Sequence, residues 1–161
     1  LFRSQDIEGL KAYFKANRKQ YTWDEPRFKG CVIYAKNEVA AKSAKQIVKS
    51  ANPDSVMSYL NQRVNVDSVM YARVERGLWK QGANGAVDKY GFKLKDAEYT
   101  PSEEYPIVLL VGKVIKAPQE YTDERAKVTT DYQDYLEKEW VAKLREKYPV
   151  VINQAVWESI Q

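Results

Sequence analysis

Ile7, Leu10, Tyr13 and Phe14 recur at three- and four-residue intervals, which predicts an amphipathic helix from about Ser4 to Asn17. Tyr21 and Trp23 follow it, and Asp24-Glu25-Pro26 ends the segment. Proline lacks an amide donor and restricts the residue before it. The apolar run Phe28–Ala35 then predicts a short buried strand. Asn37 is placed to cap a helix whose apolar stripe is Ala40, Ala41, Ala44, Ile47 and Val48, ending near Ser50. Asn52-Pro53-Asp54 is a second start signal: cap, proline at the first helical position, acid in the first turn. Val56, Met57 and Leu60 face inward on the short helix it opens.

Further on, Val69 to Glu75 alternates as a strand does, and Gly77, Gly82, Gly85 and Gly91 mark a glycine-rich loop. After a polar loop from Pro101 to Tyr105, Pro106 opens Ile107-Val108-Leu109-Leu110-Val111, which continues through Gly112 to Ile115. Such continuous apolarity predicts a strand buried on both faces at the centre of a sheet. A long helix is expected from about Thr122 to Lys147, acidic at its start and basic at its end. Val128, Tyr132, Leu136, Trp140 and Leu144 form its i, i+4 stripe, widened by Tyr135 and Val141. Pro149 stops it. Val150-Val151-Ile152 reads as a last strand-like piece, and Val156, Trp157 and Ile160 as a last short helix.

The expected fold class is α+β: a small sheet with helices, flanked by an N-terminal helix and a long C-terminal helix. The segments divide as 1–26, 27–117 and 118–161. The last helix is too long for so small a domain to bury. Its aromatic stripe needs a partner: the first helix, another copy, or parts of a parent protein.

Composition removes several classes of function. The net charge is +4, and Lys and Arg are spread along the chain rather than clustered. The short stretch Lys15 to Lys19 reads as a solvated helix end, so nucleic acid is not an expected partner. No segment approaches the roughly 18 apolar residues of a membrane span. There are no histidines and one cysteine, Cys31. That excludes histidine-based triads, most catalytic zinc sites, an internal disulfide and multi-cysteine metal sites, and no cofactor is expected. Glu103, Glu104, Glu137 and Glu139 have no spacing that nominates a catalytic pair. The 12 tyrosines suit either a half-buried core or an interface. The chain opens at Leu1 without an initiating Met, as a piece of something longer would, so the lack of a leader says nothing about compartment.

From about Arg27 to Ile115 the order of elements resembles the parvulin-type prolyl isomerase domain, with its small antiparallel sheet. Gly30-Cys31-Val32-Ile33-Tyr34-Ala35-Lys36 is similar to that family's opening strand. Gly77-Leu78-Trp79-Lys80-Gln81-Gly82-Ala83-Asn84, then Val87-Asp88 and Phe92, is similar to its Gly–x–aromatic–x–x–Gly loop and following short helix. Tyr105 to Val114 stands where the family closes its sheet. The tail from Asp131 through Trp140 and on to Ile152 resembles the C-terminal arm of periplasmic folding factors of the SurA and PpiD kind. The resemblance implies a periplasmic location, a larger parent chaperone, and unfolded or extended envelope and outer-membrane polypeptides as clients.

Family members hold two histidines across the sheet beside an apolar cradle for the substrate proline. Here the resemblance places Cys31 at the first histidine and Val108 at the second, and Asn84 and Val87 at the cradle's usual methionine and phenylalanine. It therefore implies a degenerate catalytic site. Trp79, Asn84, Val87 and Phe92 are the candidate substrate-binding residues. They line a peptide groove, or Trp79 and Phe92 close the small core. Cys31 is a remnant of the site or a small buried hydrophobe. Arg73 and Arg76 hold acidic peptide groups or are solvated strand-end arginines. Three functions stay open: a peptide-binding chaperone module with a degenerate site, an active isomerase with an altered site, and a structural domain assembling through Trp140.

Overall fold

Strand β1 (Arg27–Ala35) is the element around which the sheet is built, because it is buried from both sides. The computed structural model describes residues 6–149, so the pieces expected at Val150-Val151-Ile152 and at Val156, Trp157 and Ile160 lie outside the described residues. Along the chain come α1 (Ile7–Asn17), β1, α2 (Glu38–Ser50), α3 (Val56–Arg63), β2 (Ala72–Trp79), β3 (Ile107–Ile115) and α4 (Arg125–Lys147). Short 3-10 turns precede α3 and α4, and a π-helical turn covers Val87–Phe92. The fold is α+β, with a three-stranded antiparallel sheet in the order β2-β1-β3 and a long C-terminal helix.

Two units are formed: Thr22–Pro118, and Leu1–Tyr21 together with Gln119–Gln161. The first expected segment as far as Tyr21 and the last from Gln119 onward fall in one unit, while residues 22–26 and Pro118 go with the sheet. In the Thr22–Pro118 unit, Ile33 and Ala35 of β1 and Ala72 of β2 pack against Ala40, Ala41, Ala44 and Ile47 of α2 and against Val56 and Leu60 of α3. The opposite face of β1 carries Phe28, Val32 and Tyr34, which pack against Ala86 and Val87. The start signals work as read. The Asn37 side chain accepts from Ala40 N at 2.9 Å, and that of Asn52 from Asp54 N at 3.2 Å.

Three expectations are corrected. Val56 and Leu60 face inward on α3, but Met57 is 53% exposed, one position round the helix from the buried pair. β3 is an edge strand, not the centre of the sheet. Its continuous apolar run arises because alternate residues reach two different cores: Val108 and Leu110 the Phe28 side, Ile107, Leu109 and Val111 the α2 side. β2 runs from Ala72 to Trp79 rather than from Val69 to Glu75, so Gly77 lies in the strand and not in a loop. Asp67 and Ser68 adopt left-handed backbone, at φ 53 and 60, and delay the strand. The Asn65 side chain then receives Ala72 N at 2.9 Å and donates to Ala72 O at 3.0 Å, fixing where pairing begins.

In the other unit, Leu10 and Phe14 of α1 pack with Tyr21, Val128 and Tyr132. Asp6 caps α1 through Gly9 N at 2.9 Å, and its other oxygen accepts from the Tyr132 hydroxyl at 2.9 Å. A Cβ at Gly9 would run into both Tyr132 Oη and Asp6, so glycine leaves the room in which those two side chains meet. Tyr21 donates to Asp131 at 2.9 Å; burial first, then that bond, pushes its phenol far above the ordinary range. The α4 stripe splits in function. Val128 and Tyr132 are core, whereas Trp140 is 59% exposed.

Candidate functional site

The sheet face that carries Phe28 has an uncommon floor. Gly30 pairs with Gly77 on one side and Gly112 on the other, so three glycines cross the sheet in one row. A Cβ at Gly30 would run into the Val111 carbonyl oxygen and come within 2.7 Å of Gly112 Cα. At Gly112 it would run into Lys29 O, and at Gly77 it would lie 2.7 Å from the Trp79 ring. The trough left by the missing side chains is filled by aromatics, with the Phe28 and Trp79 centroids 6.2 Å apart. Gly91 closes over Phe28, where a Cβ would sit 2.9 Å from the ring.

The loop after β2 is tied down by two side chains. Asp88, a buried carboxylate, accepts from Gly82 N with both oxygens at 3.0 and 3.1 Å, and Gly82 turns the chain at φ 80. Asn84 Oδ1 accepts from Ala86 N at 3.0 Å and Val87 N at 3.1 Å, and its Nδ2 donates to Tyr34 Oη at 3.3 Å. The side chain is a cap for the π-helical turn and a strut to β1. Asn84→Ala is expected to lower stability by about 1–2 kcal/mol in urea unfolding. Asn84→Asp, which keeps the capping oxygen, should lose less.

Above the glycine row lies a polar cluster that the sequence reading missed apart from Arg73. Arg73 meets Glu75 at 2.9 Å, and its guanidinium carbon sits 4.9 Å from the centre of the Tyr34 ring. Tyr34 Oη donates toward Glu75 Oε2 at 3.4 Å. Tyr99 closes over the same group, and burial raises its phenol above the ordinary value. The alternation of charges with apolar residues in Ala72-Arg73-Val74-Glu75 was the available signal. This cluster braces the upper sheet, and its Arg73 is engaged by Glu75 and Tyr34.

The four candidate groove residues do come together on this face, but mostly facing inward. Val87 is fully buried, while Trp79 and Phe92 are half-buried against Phe28, Val32 and Tyr34. The two positions matched to the catalytic histidines are not brought together. Cys31 pairs with Val111, and Val108 pairs with Tyr34, which neighbours in the strand place on the face opposite to Cys31. Cys31 is buried, and burial raises its thiol pKa while Arg76 only partly offsets the rise, so it is not an activated nucleophile.

The remaining feature is the free side of β3. Among the described residues, its backbone bonds run to β1 alone. Every second residue of an edge strand turns its N–H and C=O away from the sheet. β3 has 9 residues, carries no charge from Ile107 to Gly112, and leaves Ile107 to Val111 half-buried and Val114 42% exposed. The other edge, β2, is blunted by Arg73, Glu75 and Arg76. Natural sheets protect long apolar edges; in β3 that protection is confined to Pro106 just before it and Lys113 near its end, and the stretch between them is apolar.

Comparison with family models, with curated proteins and with solved structures finds no match. Among the described residues no group of histidine, cysteine and carboxylates is placed to hold a metal ion, and no helix is long and apolar enough to cross a membrane.

Proposed function

We propose that this chain is a polypeptide-binding module of a parvulin-like periplasmic folding factor, holding extended envelope or outer-membrane segments with little or no isomerisation. The observation that carries the reading is the open apolar edge of β3. An extended client adds there as a further strand: main-chain hydrogen bonds supply affinity, and apolar surface on either side of the edge takes alternate side chains. The compartment, the parent chaperone and the class of client rest on the resemblance of the sequence to that family.

The geometry supports the reading of poor catalysis. Rotating an X–Pro bond meets a barrier of roughly 20 kcal/mol, and only groups that bind the twisted imide better than either planar isomer lower it. Cys31 and Val108 face opposite ways, and Asn84 is spent on capping. Cis–trans exchange in short X–Pro peptides, followed by NMR exchange spectroscopy, should run at the same rate with and without the chain. A fluorescent unfolded polypeptide should nevertheless bind it. Clear acceleration would sink the non-catalytic reading, and absence of client binding would sink the chaperone reading.

A further inference from the structure

The edge of β3 has polarity as well as apolarity. Its C-terminal end is positive: Lys113 and Lys116 are exposed, and Lys29 lies directly opposite Lys113. Its N-terminal end is negative, with Glu103 and Glu104 exposed in the preceding turn and Glu104 also meeting Lys36 at 3.3 Å. An antiparallel strand laid on this edge is best matched if it begins acidic, continues apolar and ends basic. The chain contains such a segment, and it is β3 itself: Glu103-Glu104, then Ile107 to Val111, then Lys113 and Lys116.

We infer that the partner fitted to the β3 edge is a second copy of this chain, paired antiparallel through β3 about a two-fold axis. Pairing centred on Leu110 sets Glu104 opposite Lys116 and Val108 opposite Gly112. Because side chains alternate faces, this register keeps Val108 and Leu110 on their original side. The two sheets become continuous, and each acidic turn meets the partner copy's basic end twice over, as an isologous contact requires. The dimer caps the edge that would otherwise aggregate. It also regulates the proposed client site, since client and second copy compete for the same strand; that competition rests on the functional reading above, whereas the dimer does not.

Sedimentation velocity on the whole chain, from low micromolar to submillimolar concentration, tests this with two variants. Glu103→Lys/Glu104→Lys makes both ends of the edge basic, and Lys113→Glu/Lys116→Glu makes both acidic. The wild type should associate with concentration, and each variant alone should associate about tenfold more weakly, as expected when several exposed ion pairs turn repulsive. An equimolar mixture should recover the wild-type association, because opposite ends then meet at both sites. A wild type that stays monomeric, a mixture no tighter than its components, or association abolished by Trp140→Ala but untouched by the charge changes would overturn the inference. Client binding by the weakly associating variants, measured separately, judges the functional reading on its own.

Discussion

Phe28→Ala is expected to lower the stability of the Thr22–Pro118 unit by about 3–5 kcal/mol, the range for deleting a fully buried aromatic ring. Phe28 is 3% exposed, and its ring fills the trough above Gly30 and Gly112 while Gly91 closes over it. Collapse cannot heal the void easily. The trough floor is glycine backbone, which has no side chain to move inward. Urea unfolding followed by tryptophan fluorescence reads the loss, because Trp79 stands 6.2 Å from Phe28 and reports the same packing. A loss below about 1 kcal/mol would mean that the aromatic filling is incidental.

Gly30→Ala should cost about 2–3 kcal/mol by the opposite route, overfilling instead of emptying. The added methyl meets main chain on β3, the Val111 carbonyl and Gly112 Cα, and neither can rotate away. Removing Phe28 does not relieve that contact. The double variant Phe28→Ala/Gly30→Ala should therefore remain at least as unstable as Phe28→Ala alone in the same urea series. A recovery of stability in the double variant would show that the ring, and not the β3 backbone, sets the limit at Gly30.

Much of the fold was legible in the sequence, and what was missed has physical causes. α2 could be read because Asn37 and the Ala40–Ile47 stripe satisfy a cap and a period at once. α1 and α4 could be read from their stripes, and even the excess length of α4 appears as exposed Trp140. β3 was misplaced because an edge strand that touches two cores has the same apolar run as a central one. Gly77 reads as loop punctuation, since nothing local reveals that Gly30 and Gly112 lie beside it. The late start of β2 depends on left-handed Asp67 and Ser68, residues that adopt that backbone without the glycine that would announce it.

The candidate site was less legible. Asn84 stands three residues before Val87, an ordinary capping distance, so a cap was available as a reading of the polar residue in the expected cradle. That Cys31 and Val108 face apart depends on register, which aligned motifs do not carry. The open edge is a property of sheet order and has no local sequence signature. Legibility followed local periodicity and failed where partners distant in the chain decide the environment.

The most direct test of the account is amide hydrogen exchange in the chain, kept dilute enough to be monomeric, with and without saturating extended apolar peptide. Strand addition predicts slowed exchange at alternate residues between Ile107 and Val114, with Trp79, Asn84 and Phe92 unchanged. Protection confined to the loop from Gly82 to Phe92, with β3 exchanging as before, would contradict it.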